Sequence, residues 1–136
     1  MSERIMPKTY FTTATIASGA SLSAEIDGRG MRLVKIFMPT AWTSAAITFA
    51  EAEASGGTFD PLYTDASSPA EVTIPVAASQ TVVIGTNKDS VNAMGYFKVR
   101  SGTVSSAVNQ QGARVIGLLF TGAYLNFSRG VHFVLP

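Results

Sequence analysis

The chain has 136 residues, the size of one compact domain, and only 14% of them are Asp, Glu, Lys or Arg while 46% are hydrophobic. An ordinary soluble domain carries about 25% charged residues, so much of this exterior is either small and weakly polar or covered by another protein. Ten Lys and Arg against nine Asp and Glu leave no positive field for phosphates or anionic lipid, which disfavours nucleic acid and membrane as partners, and the lack of cysteine excludes disulfides and thiolate metal sites while one histidine makes zinc a poor fit.

The first eight residues, MSERIMPK, read as a short flexible N-terminal arm. Glu3, Pro7 and Lys8 interrupt the apolar core that a signal peptide needs. A spanning helix requires roughly 20 consecutive apolar residues, and the densest apolar stretch, Val115 to Phe120, is short and contains Gly117. The expectation is a soluble protein made in a cytoplasm, with one β-sandwich domain over residues 9–136.

Within that domain, segments rich in β-branched and aromatic residues alternate with Gly, Pro, Asn, Asp and Ser clusters, the pattern of an all-β sandwich or barrel. The first strand runs from Thr9 to Ile16 (TYFTTATI), its threonines supplying an outward polar face. A short second one, Leu22 to Ile26, leads through Asp27-Gly28-Arg29-Gly30 into a third, Met31 to Met38; Asp and Gly tolerate the positive φ of a tight hairpin. MRLVKIFM has apolar groups on both faces and reads as a central strand covered on both sides, ended by Pro39.

Next comes Ala46 to Ala52, with Ile47 and Phe49 on one face and Thr48 and Ala50 on the other. Ser55-Gly56-Gly57 turns the chain into Thr58 to Tyr63, and Glu71 to Val76 and Thr81 to Ile84 are two more short strands. GYFKVR, Gly95 to Arg100, points Phe97 and Val99 inward and Tyr96, Lys98 and Arg100 outward. After the polar loop from Ser101 to Gly112, Ala113 to Phe120 (ARVIGLLF) is again apolar on both faces. The last stretch, TGAYLNFSRGVHFVLP, is too apolar for a solvated tail; it is a C-terminal extension that either closes the sandwich or packs on a neighbour.

Catalytic constellations are absent. The lone His132 lies among Val131, Phe133 and Val134 with no partner set for a nucleophile, so it reads as structural or interfacial. Glu51 and Glu53 share a strand face, as a glycosidase pair requires, but beside Ser55-Gly56-Gly57 they read as a charged strand edge. The other acids are scattered without the spacing of a calcium loop, which leaves open only a calcium site assembled from distant loops. Gly28-Arg29-Gly30 lacks the third glycine and helix of a dinucleotide fingerprint, and Asn126-Phe127-Ser128 is a sequon without a secretion signal. No cofactor, metal or catalytic residue is assigned. Trp42, just past a strand, either caps the core or protrudes to stack on a partner.

Two stretches resemble a known pattern. ITFAEAEASGGTFDPLY, Ile47 to Tyr63, resembles the strand, Gly-Gly turn and return strand of galactose-binding-like and discoidin-like jelly-roll sandwiches, and GYFKVRSGT followed by VNQQGARVIGLLF resembles their last two strands. The set KIFMPTAWTSAAITF, GYFKVRSGT and SAVNQQGARVIGLLF is also similar to small virion proteins of tailed bacteriophages and gene-transfer agents, of the head-decoration or head-spike type. The resemblance implies a jelly-roll-like antiparallel β-sandwich that forms a homo-oligomer, docks on the major capsid protein or other virion proteins, and resides in the virion.

Taken with the charge poverty, this leads to a non-enzymatic capsid decoration or cement subunit. Its expected assembly contacts are Arg4, Ile5 and Met6 in the arm and Tyr124, Phe127, His132 and Phe133 in the extension. The alternative is a carbohydrate-binding module of a spike or tail appendage, with Trp42, Tyr63 and Tyr96 beside Lys98 or Arg100 as the platform for a host glycan.

Overall fold

A computed structural model describes residues 4–85, 91, 94–126 and 132–135. Its regular elements are nine strands: β1 (Arg4–Ile16), β2 (Ile26–Asp27), β3 (Arg32–Phe37), β4 (Ile47–Ala52), β5 (Asp60–Pro61), β6 (Thr81–Val83), β7 (Tyr96–Ser101), β8 (Arg114–Asn126) and β9 (His132–Leu135). They form an all-β sandwich of two antiparallel sheets. One sheet has the order β1-β8-β3-β6, with β9 also on β8; the other has the order β2-β7-β4-β5. The first eight strands pair in a nested way, β1 with β8, β2 with β7, β3 with β6 and β4 with β5.

The core lies between the sheets. Ala14, Ile16, Leu33, Ile36, Ile116, Leu118 and Phe120 enter it from the five-stranded side, and Ile26, Ile47, Phe49, Phe97 and Val99 from the other. Phe49, Phe97 and Phe120 cross it as an edge-to-face relay, with centroids 6.1 and 6.0 Å apart, the arrangement that brings a positive ring edge to a negative ring face.

Three sequence expectations are corrected. The turn 27–30 is not a hairpin, because β2 belongs to the four-stranded sheet and β3 to the five-stranded one; the turn carries the chain across the sandwich. The strand MRLVKIFM is not covered on both sides. A register shift between Leu33 and Lys35 inserts a residue, so Leu33 and Ile36 both face the core while Lys35 and Phe37 face out. Nor does β1 wait for Thr9: residues 4–8 of the expected arm already pair with β8, which runs on to Asn126 and offers them backbone partners. Within the expected C-terminal extension, Tyr124 belongs to β8, and β9 returns along it by pairing Leu125 with Phe133 and Asn126 with His132. Phe127 lies outside the described residues.

Candidate functional site

The outward faces of the two sheets differ. On the five-stranded sheet, registered rows run Phe11, Leu119, Lys35, Val83 and then Thr13, Gly117, Phe37, Thr81, with Thr15 beside Val115. Phe11 is 54% exposed, Phe37 36%, Val83 69% and Val115 54%. ARVIGLLF is therefore also bare on one side, contrary to its expected double cover. The Phe11 and Phe37 rings meet edge to face at 6.0 Å above Gly117, where a Cβ would stand 3.0 Å from one ring and 3.1 Å from the Cβ of the other residue. A glycine on the middle strand is what lets these two rings touch.

Threonines surround this apolar surface, and its charges are all positive. Lys35 is exposed, and Arg32, registered with Thr121 on the same face, has Nη1 buried without a hydrogen-bond partner among the described residues. No Asp or Glu occurs in β1, β3, β6, β8 or β9.

The four-stranded sheet is covered by the chain's own loops. Thr48, Ala50, Ala52 and Arg100 point outward there yet are buried. Arg100 faces outward as expected but is covered, donating to Glu71 at 3.2 Å; Glu71 accepts the Val104 N–H through both oxygens, at 3.1 and 3.2 Å, and the Thr48 hydroxyl donates to Gly102 O at 2.7 Å. Gln110, fully buried, clamps a second loop: its amide accepts from Thr43 N–H at 2.8 Å and donates to Thr43 O at 2.9 Å. Glu25 makes a third tie, accepting from Ser55 Oγ at 2.6 Å and Gly56 N–H at 2.8 Å. The Gly56 amide first, then Ser55, holds its carboxyl below the usual carboxylate range.

Of the five platform residues, Tyr96, Lys98 and Arg100 follow one another on the outer face of β7, opposite Ala52, Ala50 and Thr48, while Trp42 and Tyr63 come from segments flanking β4 and β5. Trp42 packs against the core and donates Nε1–H to Ala45 O at 3.0 Å. Tyr96, paired with Ala52 at the opposite end of β4, lies under Arg29 at 4.6 Å. Lys98 sits over the Phe59 ring at 4.6 Å, Arg100 is buried, and Tyr63 alone of the five is well exposed.

Glu51 and Glu53 line a shallow depression with Gly57, Thr58 and Asp60, and Glu51 stands directly opposite Asp60 across β4 and β5. Among the described residues no group of His, Cys, Asp and Glu could hold a metal ion, and no helix is long and apolar enough to cross a membrane. A cleft of about 420 Å³, bordered by Lys8, Tyr10, Asp27, Arg29 and Met31, opens at one end of the sandwich. Arg29 there is already bound by Asp27 through two contacts of 3.0 and 2.9 Å, which raise the guanidinium's proton affinity and lower that of the carboxyl. The cleft thus presents paired charges rather than a free reactive group.

Sequence reasoning missed the apolar outer face, though Phe11 among the threonines of TYFTTATI carried its signal. It also missed Gln110, a polar residue in a polar loop that carries none. No protein-family model, curated protein or solved structure matches the chain.

Proposed function

We propose that this protein is a non-enzymatic structural subunit that works by having its five-stranded sheet covered: a decoration or cement subunit of a tailed-bacteriophage virion, binding sister copies and the major capsid protein. One observation carries the assembly reading, the exposed surface of Phe11, Phe37, Val83 and Val115 on a sheet whose strands contain no carboxylate. Covering apolar surface yields roughly 25 cal/mol per Å², and contiguous exposed patches of this kind mark interaction sites. The nested strand pairing in two antiparallel sheets is compatible with a jelly-roll-like sandwich, and this supports the virion reading alongside the resemblance of KIFMPTAWTSAAITF and GYFKVRSGT. Glycan attachment has less support, since Trp42 packs on the core, Arg100 is held by Glu71, and Lys98 and Tyr96 are engaged by Phe59 and Arg29.

Sedimentation velocity over a concentration series, at low and high salt, tests the assembly reading. The wild type should associate at both salts, and Phe37→Ser with Val83→Thr should give a folded monomer. A wild type that stays monomeric throughout overturns the reading. The virion placement requires the chain in gradient-banded particles from its source; particles lacking it overturn that part.

A further inference from the structure

A face-to-face pair of five-stranded sheets would bury Arg32 and Lys35 of both copies against strands that hold no carboxylate. Desolvated cations left unpaired are costly, and Arg32 Nη1 already lacks an acceptor among the described residues. Whatever covers this face must therefore bring acids of its own. The chain holds a matching set elsewhere. Glu25, Asp27 and Glu71 are engaged by Ser55 and Gly56, by Arg29 and by Arg100. Glu51, Glu53 and Asp60 have no such partner among the described residues, and they cluster on the rim of the four-stranded sheet beside Ala54, Thr58 and Phe59. Glu51 and Asp60 are directly opposed across two strands, an arrangement of like charges that weakens strand pairing until a cation arrives.

We infer that the occupant of the apolar face is a second copy of this chain in a head-to-tail contact, its Glu51, Glu53 and Asp60 rim set against Lys35 and Arg32 of the first. This rests on the assembly reading above and gives it a geometry. The two surfaces lie on different sheets of one chain, so each subunit offers both, and the contact repeats from copy to copy. Such heterologous contacts close into rings or extend as filaments rather than stopping at a two-fold dimer. Apolar burial supplies the affinity, and the charges select which surfaces meet.

The test uses the full chain with Lys35→Glu, with Asp60→Lys and with both, followed by sedimentation velocity, with circular dichroism confirming that each variant is folded. Each single reversal should weaken association roughly tenfold at low salt, since like charges then face each other. The double variant, or a mixture of the two singles, should return to within about threefold of the wild type, because the reversed pair is again complementary. If Lys35→Glu strengthens association, the contact is face to face and the inference is overturned. If the wild type assembles and both reversals are neutral, or the double variant stays as weak as the singles, another surface or partner supplies the acids; the head-to-tail arrangement then fails while the assembly reading stands. A wild type that never associates removes both.

Discussion

The two sheets carry opposite solutions to the same problem, an outer face that a β-strand pattern leaves half apolar. Over the four-stranded sheet the chain folds its own loops back, and Glu71, Gln110 and Glu25 tie them down. Buried polar groups there are satisfied internally: Arg100 by Glu71, and Thr48 by Gly102. Over the five-stranded sheet no loop among the described residues returns, and two phenyl rings, two valines and a lysine stand at the surface. A chain able to cover one face from its own length has left the other bare. That contrast, more than the low overall charge, points to a partner, because it assigns the uncovered surface to one sheet.

The covered side should fail first and hardest when a tie is cut. Arg100 and Glu71 side chains are only 9% and 11% exposed, and removing one member of a buried pair leaves the other charge uncompensated. Glu71→Ala is expected to cost about 3 kcal/mol in urea unfolding. Replacing both, as Arg100→Met with Glu71→Leu, should recover most of that loss, since an apolar pair of similar volume needs no desolvation. A double variant as unstable as the single one would mean that the Val104 amide, rather than the guanidinium, is what Glu71 serves.

Two glycines separate the faces more finely. At Gly102, φ is +88° and a Cβ would stand 2.5 Å from Ser106 O and 2.8 Å from Val108 N. Both neighbours are backbone of the covering loop and have nowhere to go, so Gly102→Ala should cost about 2 kcal/mol or more. At Gly117 the crowding atoms belong to the rings and side chains of Phe11 and Phe37, which border solvent. Gly117→Ala should therefore stay within about 1 kcal/mol of wild-type stability while pushing the rings apart and weakening association. Equal losses at the two sites would mean that the outer face is as rigidly packed as the covered one.

What the sequence made legible follows the range of each interaction. Period-2 alternation and β-branched composition located strands at TYFTTATI, MRLVKIFM, ITFAEA, GYFKVR and ARVIGLLF, because those signals act between residues two apart. The sheet to which each strand belongs was not legible. Asp27-Gly28-Arg29-Gly30 has hairpin chemistry, yet Ile26 and Asp27 pair with β7 and the chain then changes sheet. The bulge in β3 was hidden too: one inserted residue makes Leu33 and Ile36 face the same way, and in a plain alternation that reads as cover on both sides. The partner of Arg100 was hidden because its acid lies 29 residues away, on the separate segment Glu71 to Val76, and alternation does not say which segments meet. Alternation placed Tyr96, Lys98 and Arg100 on the outer face of β7, as the register has them, but it says nothing about the loops and partner groups that cover that face.

The smallest expected effect concerns pH. The Gly56 amide and the Ser55 hydroxyl hold the Glu25 carboxyl below its usual range, and Arg29 does the same to Asp27. A carboxyl depressed in the folded state contributes stability that is fully present above its unfolded value and is lost as pH falls through the folded one. Urea midpoints should therefore decline on acidification below the ordinary carboxylate range. Glu25→Gln should flatten that decline slightly, because the group borders solvent and is screened, and leave the midpoint at neutral pH nearly unchanged. Since the strands of the five-stranded sheet contain no carboxylate, acid acts on the fold through the other sheet. Amide exchange should then rise first around 55–57 and 102–108, with β1 and β8 opening later. Simultaneous opening of both sheets would show that the ties on the covered side do not set the order in which the sandwich comes apart.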